Sequence, residues 1–87
     1  MPIALSVRRH QNTLTVTIAA QEGRVAPAGP LYLVVASQEG GQILRREAQA
    51  GENILELPAP DDKASPPACI KLLVGSYLVD AVECPLP

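Results

Sequence analysis

The chain has 87 residues with nine acidic and seven basic side chains, a net charge of -2, no Phe, no Trp and two Tyr. This length predicts one small domain, residues 1–87, with a thin aliphatic core. The scattered charge gives no patch for polyanions, and the shortage of aromatics removes the stacking platform that sugars and single-stranded nucleic acids need. No apolar run reaches the roughly 18 residues of a membrane span, and the N-terminus lacks a signal-peptide pattern. We therefore expect a soluble domain with no nucleic-acid partner and no membrane insertion.

The first two apolar segments alternate with polar residues at a period of two, which predicts a pair of β-strands. Their apolar rows are Ile3, Leu5 and Val7, followed by Leu14, Val16 and Ile18. A tight connection around residues 10–12 is expected to pair Val7 with Leu14. The polar row of the second strand, Thr13, Thr15 and Thr17, then faces solvent or a partner.

The middle of the chain predicts a loop, a buried strand and a charged strand. Residues 21–30 contain two Gly and two Pro, which favours a loop. Residues 31–36 are apolar on both faces, as expected of a strand inside a sheet. Residues 42–48 carry charges that discourage pairing with other chains, which is typical of an edge strand. A short helix over residues 43–52 is the alternative, but it lacks an N-cap and lies between glycines.

Residues 53–57 predict a short strand that Pro58 ends, followed by a stiff proline-rich connection over residues 58–67. The longest apolar stretch, residues 69–84, then predicts a terminal hairpin. A type II′ turn at Gly75-Ser76 is favoured because glycine adopts a positive φ without a Cβ clash. The expected register pairs Val74 with Tyr77, Leu72 with Val79 and Ile70 with Ala81 on one face, and Leu73 with Leu78, Lys71 with Asp80 and Cys69 with Val82 on the other. An apolar face and a matched charge pair arise together, so two signals support this register.

Seven strand-like segments separated by turns predict an all-β sandwich of about seven antiparallel strands in two sheets. The order of segment lengths, the central strand with Tyr32 and the Leu55-Glu56-Leu57 strand form a pattern that resembles an immunoglobulin-like or fibronectin type III-like domain over nearly the whole chain. The sequence lacks the Trp that fibronectin domains usually carry in the second strand, and the Cys-Trp-Cys set of immunoglobulin domains. The resemblance therefore implies an architecture and no particular functional family.

Cys69 and Cys84 are the only cysteines, and the expected register places them on one face, with Cα atoms about 7–8 Å apart. A bulge near Val82 or Glu83 would close this gap to a disulfide, which would imply a periplasmic or secreted protein. The alternative is a pair of reduced, partly buried thiols, which favours the cytoplasm. With one histidine, His10, the two cysteines do not form a zinc site of the usual spacing.

Two further groups of polar residues are candidate ligand sites. Arg8, Arg9 and His10 form a positive cluster at the first turn that could hold a phosphate or a carboxylate, although a solvated turn is the simpler interpretation. Asp61 and Asp62 could give oxygen ligands to a cation, but they lack the rest of a calcium-loop motif.

Glycine-rich phosphate loops, nucleophile elbows and carboxylate pairs beside a histidine are all missing from the sequence. We therefore expect no catalysis, no cofactor and no metal, and instead a module that binds a protein partner as an adaptor or accessory subunit of a larger assembly. The candidate partner-binding residues are Thr13, Thr15, Thr17, Arg45, Arg46 and Glu47, together with the loops of residues 21–30 and 58–67. Backbone pairing at an exposed edge is a common mode of such binding.

Two alternative functions remain open at the level of sequence. One is a periplasmic chaperone-like protein that inhibits fibre or amyloid assembly by capping exposed strands. The other is a small thiol-dependent redox factor, which would require Cys69 or Cys84 to be exposed with a lowered pKa.

Overall fold

The fold is described from a computed structural model, which describes residues 3–20, 29–59 and 65–87. Seven strands follow one another along the chain: β1 (Ile3–His10), β2 (Thr13–Ala20), β3 (Leu31–Ser37), β4 (Gln42–Ala48), β5 (Gly51–Glu56), β6 (Pro67–Val74) and β7 (Tyr77–Glu83). Across these ranges no helix is long and apolar enough to span a membrane. The charged segment of residues 42–48 is a strand, as predicted, and not a helix.

The strands form two antiparallel sheets, which confirms the predicted all-β sandwich. The three-stranded sheet has the order β1-β2-β5, and the four-stranded sheet has the order β4-β3-β6-β7. Strand β3 has a neighbour on each side. The side chains of β4 and β6 flank it, and its residues Leu33, Val34, Val35 and Ala36 are all buried.

One aliphatic core fills the space between the two sheets. Its most deeply buried side chains come from both of them: Leu14 and Val16 of β2, Leu33 and Val35 of β3, and Ile70 and Leu72 of β6. Burial of one such side chain stabilises the fold by about 1.5–3 kcal/mol. The period-two rows of the sequence therefore meet face to face, as expected of a sandwich.

The register of the first hairpin differs from the prediction by two residues. Val7 lies opposite Val16, and Leu14 lies opposite Arg9 rather than Val7. Gln11 makes the shift possible because it adopts a positive φ of 55°, so that only Gln11 and Asn12 form the turn. A slip of two residues keeps every side chain on its predicted face, and the apolar rows still point inward.

The turn of the terminal hairpin is placed as predicted, but the register beyond it is not. Gly75 has the expected positive φ of 61°, and Val74 pairs with Tyr77. A β-bulge then shifts the ladder by one residue, so Leu72 lies opposite Asp80 and Ile70 opposite Val82. The predicted Lys71–Asp80, Leu72–Val79, Ile70–Ala81 and Cys69–Val82 pairs are therefore wrong.

The bulge has a packing reason. Because side chains alternate along a strand, a shift of one residue turns the end of β7 over. Val82 thereby packs against the core, whereas the unshifted register would have used the smaller Ala81 at that position. The larger side chain buries more apolar surface.

The shifted register also aims the Asp80 carboxylate at the edge of the other sheet. Its Oδ2 atom accepts a hydrogen bond of 3.2 Å from the Leu5 backbone N–H of β1. Further along the same side, Arg9 Nη1 donates to the Pro85 carbonyl oxygen at 3.0 Å. These two bonds join the β1 edge to β7 and to the segment that follows it.

We expect Asp80→Ala to lower the free energy of unfolding by about 1–2 kcal/mol, because the part-buried Leu5 N–H loses its acceptor. Urea denaturation would measure the change. Glu83→Ala removes an exposed carboxylate from the same strand and should cost less than about 0.5 kcal/mol. Equal losses in the two variants would contradict the role given to Asp80.

Candidate functional site

The outer face of the three-stranded sheet carries the predicted threonine row and is polar. Thr13 Oγ1 donates to the Glu56 carboxylate on β5 at 3.0 Å. Arg8 Nη2 on β1 lies 3.9 Å from Glu52 Oε2 on β5. Thr13, Thr15 and Thr17 are only partly exposed, because strands flank them on both sides. Ile54 is the one large apolar side chain exposed there among the described residues.

The outer face of the four-stranded sheet is different, because one of its rows is mainly apolar. Read across β4, β3, β6 and β7, the facing residues form three rows: Glu47, Tyr32, Leu73 and Leu78; Arg45, Val34, Lys71 and Ala81; Gln42, Ala36, Cys69 and Glu83. Leu78 is 59% exposed, and Tyr32 and Leu73 are partly exposed. Tyr32, Leu73 and Leu78 therefore form an apolar row, with Glu47 at one end and Arg45 and Lys71 in the adjacent row.

Arg45 and Lys71 flank the buried part of this face. The Arg45 guanidinium lies 4.1 Å from the centroid of the Tyr32 ring. Val34 lies between Arg45 and Lys71 in its row and is only 7% exposed. Long cationic side chains bury apolar surface with their methylene stems while the charge stays in water, which accounts for this burial.

The structure separates the predicted group Arg45, Arg46 and Glu47. Arg45 and Glu47 belong to the outer face of the four-stranded sheet, whereas Arg46 alternates to the other side and donates to the Arg45 carbonyl oxygen at 2.8 Å. Sequence reasoning missed the apolar row formed by Tyr32, Leu73 and Leu78. The apolar residues on the outer face of β3, Tyr32 and Val34, indicated that this side of the sheet is partly apolar.

We expect Arg45→Ala to destabilise the domain by about 0.5–1 kcal/mol, because it removes the cation–π contact and uncovers Val34. Arg46→Ala is the matched control and should cost clearly less, since Arg46 is exposed and bonds only to its own strand. Thermal denaturation of both variants would compare them. A larger loss for Arg46→Ala would contradict this account of β4.

The two cysteines are free thiols, and the observed register places them on different faces. Cys69 pairs with Glu83 on the outer face, so Cys84, one residue further, turns inward and packs against the core. Their predicted placement on one face is therefore wrong. Burial raises the pKa of Cys84, although the nearby Arg9 acts in the opposite direction.

We expect both thiols to be alkylated without prior reduction, with Cys84 reacting slowly at neutral pH. A raised pKa lowers the fraction of thiolate, so the rate at Cys84 should increase about tenfold per pH unit until the pKa is reached. Mass spectrometry of peptides after timed alkylation would follow each residue. Labelling of Cys84 that is fast and independent of pH would contradict the burial argument.

The predicted positive cluster at the first turn does not converge on one point. Arg8 and His10 lie on the outer face of the three-stranded sheet, whereas Arg9 turns to the opposite side. The Arg9 guanidinium donates to the carbonyl oxygens of Gln11 and Pro85. Arg9 therefore holds the end of the chain against β1.

A cleft of about 690 Å³ lies at the end of the sandwich next to Arg9. Its lining includes Leu57, Pro58, Pro66 and Pro67. Two of its polar side chains bond within the fold: Arg9 as above, and Ser37, whose Oγ accepts from the Gly41 N–H at 3.1 Å.

The turn between β3 and β4 borders this cleft. Hydrogen bonds from the Glu39 backbone and from the hydroxyls of Ser37 and Ser65 lower the pKa of the Glu39 carboxyl.

Several predicted sites fall outside the described residues. These are residues 21–28 of the first predicted loop and residues 60–64 of the second, which include the pair Asp61 and Asp62. In the part of the chain that the structure describes, no three His, Cys, Asp or Glu side chains are grouped so that they could hold a metal ion.

Comparisons with known proteins give no assignment. No family model matches the chain, and neither the curated proteins nor the solved structures contain a match. The class that the fold defines is a small two-sheet antiparallel β-sandwich.

Proposed function

We propose that this protein is a non-enzymatic interaction module, an adaptor or accessory subunit, that binds a protein partner through the outer face of its four-stranded sheet. The observation that carries the proposal is the contrast between the two outer faces. The face with the threonine row is polar and internally bonded, whereas the other has an apolar row beside the charged side chains of Glu47, Arg45 and Lys71.

The composition of this face supports the proposal. Protein interfaces combine a core enriched in Tyr, Met and Arg with a polar rim. Here Tyr32, Leu73 and Leu78 form the apolar row, and Arg45 stacks on Tyr32. A contiguous exposed apolar patch with a polar rim is typical of interaction sites on soluble domains.

The order of the strands supports a fibronectin type III-like variant of the sandwich. In a constant-type immunoglobulin domain the fourth strand belongs to the sheet of the first, second and fifth strands. In this chain β4 instead pairs with β3 in the sheet of β6 and β7. Sandwiches of this family serve many different functions, so the binding proposal depends on the surface and not on the fold.

The thiol-dependent alternative has less support from the geometry. Reactive cysteines have a lowered pKa and an accessible sulfur. Burial instead raises the pKa of Cys84, and this residue packs against the core. Its environment is that of a structural thiol.

The proposal is tested by affinity capture from an extract of the source organism with wild type and two variants. Leu78→Glu places a charge in the apolar row and should abolish recovery of the partners that wild type captures. The fold should be retained, because Leu78 is 59% exposed. Leu86→Glu is the matched control, since Leu86 is 88% exposed and lies beyond β7.

Loss with Leu78→Glu and retention with Leu86→Glu would support the proposed face. Recovery of the same partners by both variants would overturn it. Circular dichroism of each variant ensures that a loss of binding is not a loss of fold.

A further inference from the structure

Each sheet of this sandwich has two edge strands. Among the described residues, three of these four strands, β1, β4 and β7, have a feature that hinders pairing with a strand of another protein. At β1, the Asp80 carboxylate accepts the Leu5 N–H that would otherwise face an incoming strand. In β7, a bulge interrupts the ladder near Leu72. In β4, a second bulge lies opposite the Val35–Ala36 step. Bulges and inward-pointing charges are the usual protection of sheet edges.

Strand β5 has neither a bulge nor a covering side chain among the described residues. Its ladder with β2 runs without interruption from the Thr13–Glu56 pair to the Ile18–Gly51 pair. The order β1-β2-β5 leaves its other edge without a neighbouring strand in that sheet. A regular, open edge is a template for one more strand.

The hydrogen bonds of β2 determine which backbone groups of β5 face outward. The Leu57 N–H donates to the Asn12 carbonyl oxygen at 2.7 Å, so residue 57 faces β2. Because antiparallel strands alternate between bonded and non-bonded positions, residues 55, 53 and 51 face β2 as well. The N–H and C=O groups of Glu52, Ile54 and Glu56 therefore point to the open edge.

The side chains of these three residues give the edge a chemical pattern. All three lie on the outer face of the three-stranded sheet, with Ile54, 64% exposed, between the two carboxylates. The groove beside β5 has a volume of about 510 Å³, and it contains Glu47 and Arg46 as well as both carboxylates. Arg8 lies 3.9 Å from Glu52, but both side chains are largely exposed, so this pair is weak.

We propose that the β5 edge binds an extended strand of a partner protein in which an apolar residue is flanked, two positions away on each side, by Lys or Arg. In antiparallel pairing the apolar residue lies opposite Ile54, and the two cations lie opposite Glu52 and Glu56. Opposite charges and apolar groups directly across a ladder are the favourable cross-strand pairs. This site is separate from the outer face of the four-stranded sheet.

The same pattern disfavours pairing of β5 with the β5 strand of a second copy of the chain. Antiparallel pairing of two β5 edges centred on Ile54 would place Glu52 of each copy opposite Glu56 of the other. Like charges directly opposite one another destabilise a ladder. The β5 edge therefore favours pairing with a basic strand over pairing with β5 of a second copy. Its backbone groups are accessible, and its charges select the partner.

The probe is an acetylated and amidated peptide, Thr-Lys-Thr-Val-Thr-Lys-Thr, titrated into the full chain and followed by amide hydrogen exchange with NMR detection. We expect the amides of Glu52, Ile54 and Glu56 to gain protection, because they become donors in the new ladder. The matched peptide with both lysines replaced by glutamate should bind about tenfold more weakly or not at all.

Two N-methylated peptides separate backbone pairing from simple charge attraction. Methylation of the valine and lysine amides removes the donors that face β5 and should abolish binding. Methylation of the central threonine amides, which face away, should leave binding within about twofold. If both methylated peptides bind like the parent, the strand-addition proposal is wrong.

Charge reversal in the protein provides the reciprocal test. The double variant Glu52→Lys/Glu56→Lys should lose about tenfold in affinity for the lysine peptide and gain affinity for the glutamate peptide. Glu83→Lys changes an exposed charge on β7 and should have little effect. Protection that appears in β4 or β7 instead of β5, or an unchanged preference in the double variant, would overturn the proposal.

Discussion

The sandwich depends on the interlocking of aliphatic side chains from its two sheets. The core contains no aromatic ring, so it is built from rows of branched residues such as Leu14 and Val16, which meet Leu33 and Ile70 across the interior. Such a core requires each strand to present the correct face, because a slip by one residue would put its row in water. The two-residue slip of the first hairpin preserves the predicted faces, whereas the one-residue shift in β7 turns its last residues over. The bulge in β7 shows the strength of this requirement, since the ladder is interrupted and Val82 packs against the core.

The same packing leaves two outer faces with different chemistry. Strand β5 brings Glu52 and Glu56 beside the threonines of β2, and the result is a polar, internally bonded surface. Strand β3 instead places Tyr32 and Val34 on the outer side of the larger sheet, and Arg45 packs over the Tyr32 ring. The apolar row of this surface is only partly covered, and the proposed partner-binding function depends on it.

The edges differ in a similar way. On one side of the molecule Asp80 and Arg9 join β1 to β7 and to the end of the chain, so that the two sheets are linked there by directed hydrogen bonds. On the other side β4 and β5 border a groove. Asn53 bonds to the carbonyl oxygens of Gln49 and Gly51 and so shapes the turn that leads into β5. Accessible backbone groups are therefore concentrated on one side, next to a regular strand.

The number and type of the strands, and the inward faces of all but the end of β7, followed from the sequence alone, because these properties are local. The alternation of Leu14, Val16 and Ile18 with threonines specifies a strand and its buried face, and Gly75 specifies a turn through its tolerance of positive φ. Tertiary structure decided what local patterns cannot. The bulge in β7 arises because Val82 must pack against the core. The exposed position of β5 at a sheet edge depends on pairing with β2, which lies more than 30 residues earlier in the chain. The candidate surfaces belong to this second group, since a face or an open edge exists only after strands distant in sequence have taken their places.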